Sequence, residues 1–212
     1  MVEKVSDGVL VRGEVELFER TAHLFAAATE IACAANDLHT WSVAQPAAQR
    51  EESLRGRTMR KIYLPGVLLD PEVAGHLRRM AAEGARIRIA EREINETILL
   101  DRRIAILAGD SVGGVRGYSV VSRPELVRGI QSLFEAAWRG ATDLEAYQAR
   151  FTELRAREIL DLLATGCKDE TAARTLGVGL RTYRRRVAEL MDALGATSRF
   201  QAGARAQDAG LL

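Results

Sequence analysis

Between Glu14 and Leu38 the chain reads EVELFERTAHLFAAATEIACAANDL, with no Pro and no internal Gly. Leu17, Thr21, Leu24, Ala28, Ile31, Ala35 and Leu38 recur at alternating steps of four and three. That spacing predicts one long helix bearing a coiled-coil seam, which Phe18, Phe25 and Ala32 widen. The same broad stripe would equally serve a helix laid against its own domain, and both readings stay open. After this helix the pattern changes to alternating runs. Strands are predicted at Leu38 to Ala44, Met59 to Leu64 and Ala85 to Ala90, with helices at Pro46 to Arg55 and Pro71 to Glu83. Three further strand-like runs follow at Thr97 to Leu100, Arg103 to Leu107 and Val115 to Ser122, then a helix from Pro124 to Trp138. This order predicts an α/β domain with a mixed sheet flanked by helices.

The last third is helical in pattern. Phe151 to Gly166 offers Leu154, Ile159, Leu160, Leu162 and Leu163 for burial on one predicted helix. Next comes KDETAARTLGVGLRTYRRRV, Lys168 to Val187. Asp169 is a candidate cap for a short helix ending at Leu176. Gly177 stands where the chain must turn, and Val178 supplies an apolar plug. A second helix restarts near Leu180, and Tyr183, Val187, Leu190, Met191 and Leu194 fall on its inward face. Arg181, Arg184 and Arg185 occupy the outward face, with Arg186 at its margin. An arginine run on a helix is most often just a solvated surface. The turn and the framing helices shift the weight toward major-groove docking. Downstream, Ser198 is placed to cap a final helix.

Composition narrows the larger claim. The 212 residues are 47% hydrophobic with a formal net charge of +1, enough chain for two modest domains and without bulk basicity. Affinity for DNA must therefore come from local placement of arginine. No apolar run is long enough for a bilayer span, and MVEKVSDGVL lacks a signal-peptide pattern, so a cytoplasmic protein is expected. Cys33 and Cys167 cannot build a disulfide framework, and the scattered His and Cys lack metal-ligand spacing. No metal or cofactor is expected. The glycine-rich GDSVGGVRG, Gly109 to Gly117, lacks the GK[ST] ending of a phosphate loop and is better read as a hairpin.

The four-helix segment 151–212 resembles the DNA-binding domain of LuxR-type, or NarL-type, regulators. The resemblance rests on RAREILDLLATG, Asp169, Ala173, Leu176-Gly177-Val178, Arg181-Thr182, Arg184-Arg185, Leu194-Gly195-Ala196 and Ser198-Arg199. It implies that Arg184 and Arg185 reach base edges and phosphates, that Thr182 contacts phosphate, and that Ser198 and Arg199 hold a phosphate from the last helix. Departures are Ala156 and Thr171 where the family has Glu, Gly179 for Ser, Tyr183 for Val, and Arg186 for His. The two lost acids put the usual internal salt bridges in doubt.

A second resemblance covers roughly 38–138. Arg57-Thr58-Met59-Arg60, Glu83-Gly84-Ala85-Arg86-Ile87-Arg88 and Asp101-Arg102-Arg103, each leading into a strand, look like the phospholipase D-like domain of TrmB-type regulators. Catalysis in that fold needs HxKxxxxD, a His nucleophile beside a Lys phosphate ligand. With Asp101 set as the motif's Asp, Ile94 stands for His and Glu96 for Lys. The only histidines are His23, His39 and His76, none followed by Lys at the required spacing. No catalytic residue is therefore named, and the resemblance implies a degenerate sensor domain. Tyr63, Arg88, Glu96, Asp101 and Tyr118 are candidate ligand-lining residues, each of which could equally be ordinary strand packing or surface. A phosphorylatable receiver domain is disfavoured, because it would need an acidic pair after its first strand and a late Lys.

Together these readings give an N-terminal helix (1–40) that could dimerise, a phospholipase D-like sensor (38–138), a linker or helical hinge (139–150) and a LuxR-type reader (151–212). The expected function is a ligand-responsive, homodimeric transcriptional regulator that binds double-stranded DNA and a small-molecule effector, with no membrane partner. Two alternatives stand beside it: a phospholipase D superfamily phosphodiesterase fused to a DNA-binding domain, and a protein-interaction module built on the helical segment.

Overall fold

Strand pairing organises the first two thirds of the chain in the computed structural model, which describes residues 9–35, 56–68, 70–90 and 94–208. In chain order the elements are β1 (Val9–Arg12), α1 (Glu14–Ala27), β2 (Glu30–Ala35), β3 (Thr58–Tyr63), a 3-10 turn (Pro65–Leu68), α2 (Pro71–Ala82) and β4 (Arg86–Ile89). They continue as β5 (Thr97–Leu100), β6 (Ile104–Val112), β7 (Val115–Val121), α3 (Pro124–Gly140), β8 (Thr142–Asp143) and α4 (Leu144–Leu154). Four more helices follow α4: α5 (Ala156–Ala164), α6 (Asp169–Thr175), α7 (Leu180–Ala193) and α8 (Arg199–Asp208).

The described strands form one mixed sheet in the order β1-β7-β6-β5-β2-β3-β4-β8. The pairs β2/β3 and β3/β4 are parallel, and the remaining neighbours are antiparallel. One face packs Ile31, Cys33, Tyr63, Ile89, Ile98, Ile106 and Tyr118 against Leu17 of α1, Leu77 and Met80 of α2, and Leu144 and Tyr147 of α4. The opposite face packs Ala32, Ala34, Ile62, Leu99, Ala105 and Val121 against Val127, Phe134 and Trp138 of α3. Helix α2 starts as the sequence suggests, with the Asp70 carboxylate accepting from the amides of Glu72 and Val73.

The long N-terminal helix is corrected. Helix α1 stops at Ala27, where Ala28 turns to extended backbone (ψ 137°) while its N–H still donates to the Leu24 carbonyl. Ile31 to Ala35 then form a strand between β3 and β5 and are all buried. A strand covered on both faces is apolar at consecutive positions, so its residues also satisfy a helical seam, and small alanines decide neither way. Leu17, Thr21 and Ala28 of the expected seam are buried within the chain's own fold, and Leu38 lies outside the described residues. The predicted strand at 38–44 and helix at 46–55 also lie outside them.

An irregular linker at 139–150 is corrected as well, since residues 142–143 are strand and 144–150 belong to α4. Thr142 and Asp143 pair antiparallel with Ile89 and Arg88, closing one edge of the sheet. Leu144 and Tyr147 enter the core on the α1 side. Strand β1 has only four residues, too little pattern to declare a strand from sequence. No described helix is long and apolar enough to cross a membrane.

Candidate nucleic-acid interface

The helical segment has its own core, in which Ala156, Ile159, Leu160, Ala172, Ala173, Leu176, Tyr183, Val187, Leu190, Leu194, Ala202 and Ala206 are buried together. The predicted helix from Phe151 to Gly166 is broken at Arg155, whose backbone is left-handed (φ 55°). The Arg155 guanidinium donates to Glu158 and, at 2.8 Å, to the Leu176 carbonyl, tying the start of α5 to the end of α6. The chain then turns at Gly177 (φ 67°), a conformation suited to glycine, and the Val178 N–H donates back to the Ala173 carbonyl.

Helix α7 begins at Leu180 and buries Tyr183, Val187, Leu190 and Ala193. Its opposite face exposes Arg181, Arg184 and Arg185, while Thr182 and Arg186 are half-buried. Arg186 sits at the margin, and its buried Nη1 has no hydrogen-bond partner among the described residues. Arg185 lies 3.9 Å from Glu189 one turn on and is otherwise open to solvent. Ser198 caps α8 by accepting from the Gln201 amide, and the Gln201 side chain in turn accepts from the Thr197 N–H and hydroxyl.

Asp169 does something other than cap. It is the first residue of α6, Lys168 holds the cap position, and among the described residues no side chain caps that helix. The Asp169 carboxylate instead accepts from Arg184 Nε at 2.9 Å and from Arg199 Nη1 and Nη2 at 2.6 and 3.1 Å. One acid thus joins α6, α7 and α8. The two arginines hold its carboxyl below the ordinary aspartate range, Arg199 contributing most, and Asp169 raises the Arg199 guanidinium in return. Its partners lie 15 and 30 residues away, a separation no periodicity marks. Arg205 supplies a further tie, donating to the carbonyls of Leu194 and Gly195 where α7 ends.

The five candidate ligand residues are placed apart in part. Tyr63 and Tyr118 lie in the same core, on the α1 side of the sheet. The Tyr118 hydroxyl donates to Glu14 at 2.8 Å, and burial together with that carboxylate pushes the phenol up. Glu96 is buried and pairs with Arg116 at 2.5 Å, and both also lie within electrostatic reach of Tyr118. Arg88 sits on the other side, over the Trp138 ring at 4.8 Å and donating to the Trp138 carbonyl at 2.6 Å. Asp101 is at the β5–β6 turn, where it accepts from the amides of Thr29 and Glu30 and from the Thr29 hydroxyl. Ile94, at the position aligned with the phospholipase D histidine, packs against the α3-side core. Among the described residues no group of three or more His, Cys, Asp or Glu could hold a metal ion.

The fold has a counterpart among solved structures. TrmBL2, an archaeal chromatin protein whose structure shows a novel mode of DNA binding, superposes with a TM-score of 0.51 at 16% identity, over 67% of this chain and 55% of that one. The two share a fold. The phospholipase D family member Nuc from Salmonella typhimurium aligns more loosely, with a TM-score of 0.48 at 12% identity over 64% of this chain and 97% of that one. In sequence, the chain is 35% identical over 162 residues to a bialaphos biosynthetic pathway regulatory protein of Streptomyces hygroscopicus. The match takes in 75% of this chain but 63% of that relative, so the chain spans under two thirds of the curated protein's length. No protein-family model matches the sequence.

Proposed function

We propose that the protein is a DNA-binding transcriptional regulator that carries no catalytic activity of its own and reads the major groove with α7. The observation that carries this reading is the α6–turn–α7 unit. Gly177 reverses the chain, Tyr183, Val187 and Leu190 anchor α7 to its core, and Arg181, Arg184 and Arg185 stand exposed on the opposite face. An anchored helix with an open cationic side fits a groove about 12 Å wide that is lined by phosphates and base-edge acceptors. The resemblance of 151–212 to LuxR-type readers, the regulatory role of the bialaphos-pathway relative and the DNA binding of TrmBL2 support it.

The α/β unit takes the part of a degenerate phospholipase D-like sensor in this reading. Ile94 and Glu96 stand where phosphodiester transfer would need His and Lys, and a buried carboxylate repels a phosphodiester. A small-molecule effector would act through the polar groups on the α1 side of the sheet, Tyr63, Glu96 and Tyr118, by biasing the geometry of a homodimer whose two readers engage half-sites about one DNA turn apart.

Selection from a pool of random-sequence duplexes tests the reading. Enrichment of a two-fold symmetric sequence by the full chain is expected. Retention of no duplex above background, with capture of a protein partner through the helical segment, would overturn it in favour of an interaction module.

A further inference from the structure

The inference below rests on the reading of α7 as a DNA reader and concerns how that reader is aimed. Arg184 is 59% exposed, yet its Nε is fixed on Asp169 Oδ2 at 2.9 Å, and its two Nη groups make no hydrogen bond among the described residues. The Asp169 side chain is only 14% exposed and is gripped from a second direction by the Arg199 fork. A carboxylate held in this way is a rigid mount. With the Nε edge of its guanidinium occupied, Arg184 has one bidentate geometry left, end-on through Nη1 and Nη2. That fork matches the O6/N7 acceptor pair of guanine, the commonest specific arginine contact in the major groove.

Two neighbours sharpen the contrast. Among the described residues Arg185 has only Glu189 within ionic reach, at 3.9 Å, and its exposed guanidinium suits a phosphate contact. Arg199 spends both Nη groups on Asp169, so its part in the interface is to hold the mount rather than to act as a free phosphate ligand. We propose that Asp169 is the positioning residue of the interface, presenting Arg184 end-on so that each reader demands a guanine at one position of its half-site.

The test uses the full chain and duplexes recovered by selection from a random pool. Removing a negative charge beside a phosphate surface would by simple electrostatics tighten binding to every duplex. The proposal requires a different pattern for Asp169→Asn. Affinity for random duplex stays level or rises, while preference for the selected duplex over one with its guanine replaced falls about tenfold, the weight of one bidentate contact. Arg184→Lys should lose the same preference, and Asp169→Asn added to Arg184→Ala should cost nothing further. Unfolding midpoints are measured alongside, and Arg205→Ala, which removes a tie at the end of α7 without touching Asp169, serves as the control for loss of a helix tie. An unchanged guanine preference in Asp169→Asn, or an equal loss from Arg205→Ala, would overturn the positioning role while leaving the DNA-reading proposal intact. Failure of the wild-type chain to enrich any duplex would overturn both.

Discussion

The Asp101 carboxylate lies 2.7 Å from the backbone nitrogen of Glu30, an acceptor supplied across the sheet from 71 residues away. The same oxygen accepts from the Thr29 N–H and hydroxyl, each at 2.9 Å. A residue that the phospholipase D resemblance marks as part of a catalytic motif is here the fastener that starts β2. Asp101→Ala should lower stability by about 1–3 kcal/mol, since it strips several donors of their acceptor. Asp101→Asn should cost less because it keeps an oxygen there.

That acid also sets a pH dependence. Hydrogen bonds from the Glu30 and Thr29 amides hold the Asp101 carboxyl below its ordinary value, and Arg199 and Arg184 do the same for Asp169. Folded values below unfolded ones contribute stability that is complete above the ordinary aspartate range and is lost as pH falls through the depressed values. Thermal midpoints between neutral pH and pH 3 should show this acid loss, and it should shrink in Asp101→Asn.

The two cysteines should differ in reactivity. Cys33 is buried on β2, and burial pushes its thiol up to about 11, whereas Cys167 is half-buried before α6. Maleimide at pH 8 should modify one thiol in the folded protein, identified by peptide mapping as Cys167, and both after denaturation. Rapid labelling of Cys33 in the native state would contradict its place in the sheet.

Two glycines of the helical segment share a left-handed backbone but differ in surroundings. A Cβ on Gly177 meets nothing within 4 Å, while one on Gly195 would stand 2.5 Å from Arg205 Nη1. Gly177→Ala should therefore cost only the backbone strain, about 1 kcal/mol. Gly195→Ala should cost more, because it also displaces the guanidinium that holds the last carbonyls of α7. Urea unfolding of the two variants gives the comparison directly.

Leu17 distinguishes the two readings of the N-terminal helix. It is 2% exposed and packs into the sheet of its own chain. Leu17→Ala should destabilise by about 2–5 kcal/mol with no change in molecular mass by light scattering wherever the chain remains folded. A seam residue of a coiled coil would shift the oligomeric state instead.

Much of this architecture was legible from the chain. Strand β5 occupies the predicted residues, β3, β4 and β7 fall within a residue or two of them, and α2 and α3 begin at the predicted prolines. Pro-initiated helices and β-branched runs carry their signal locally. Helix α7 was legible for the same reason, its apolar positions facing the core at helical spacing. The failures share a different cause. Ala32 to Ala35 are strand only because β3 and β5 flank them, β8 is strand only because β4 offers an edge, and Asp169 leaves its capping role only because two distant arginines reach it. Each depends on partners brought by tertiary structure, which no local pattern encodes.

A salt titration asks whether α7 meets DNA with its arginine face. Fluorescence anisotropy of the full chain on a selected duplex should give an association constant falling linearly with salt on logarithmic axes. Arg185→Ala should reduce that slope by about 0.9, the loss of one phosphate contact. A slope and affinity identical to wild type would contradict the account.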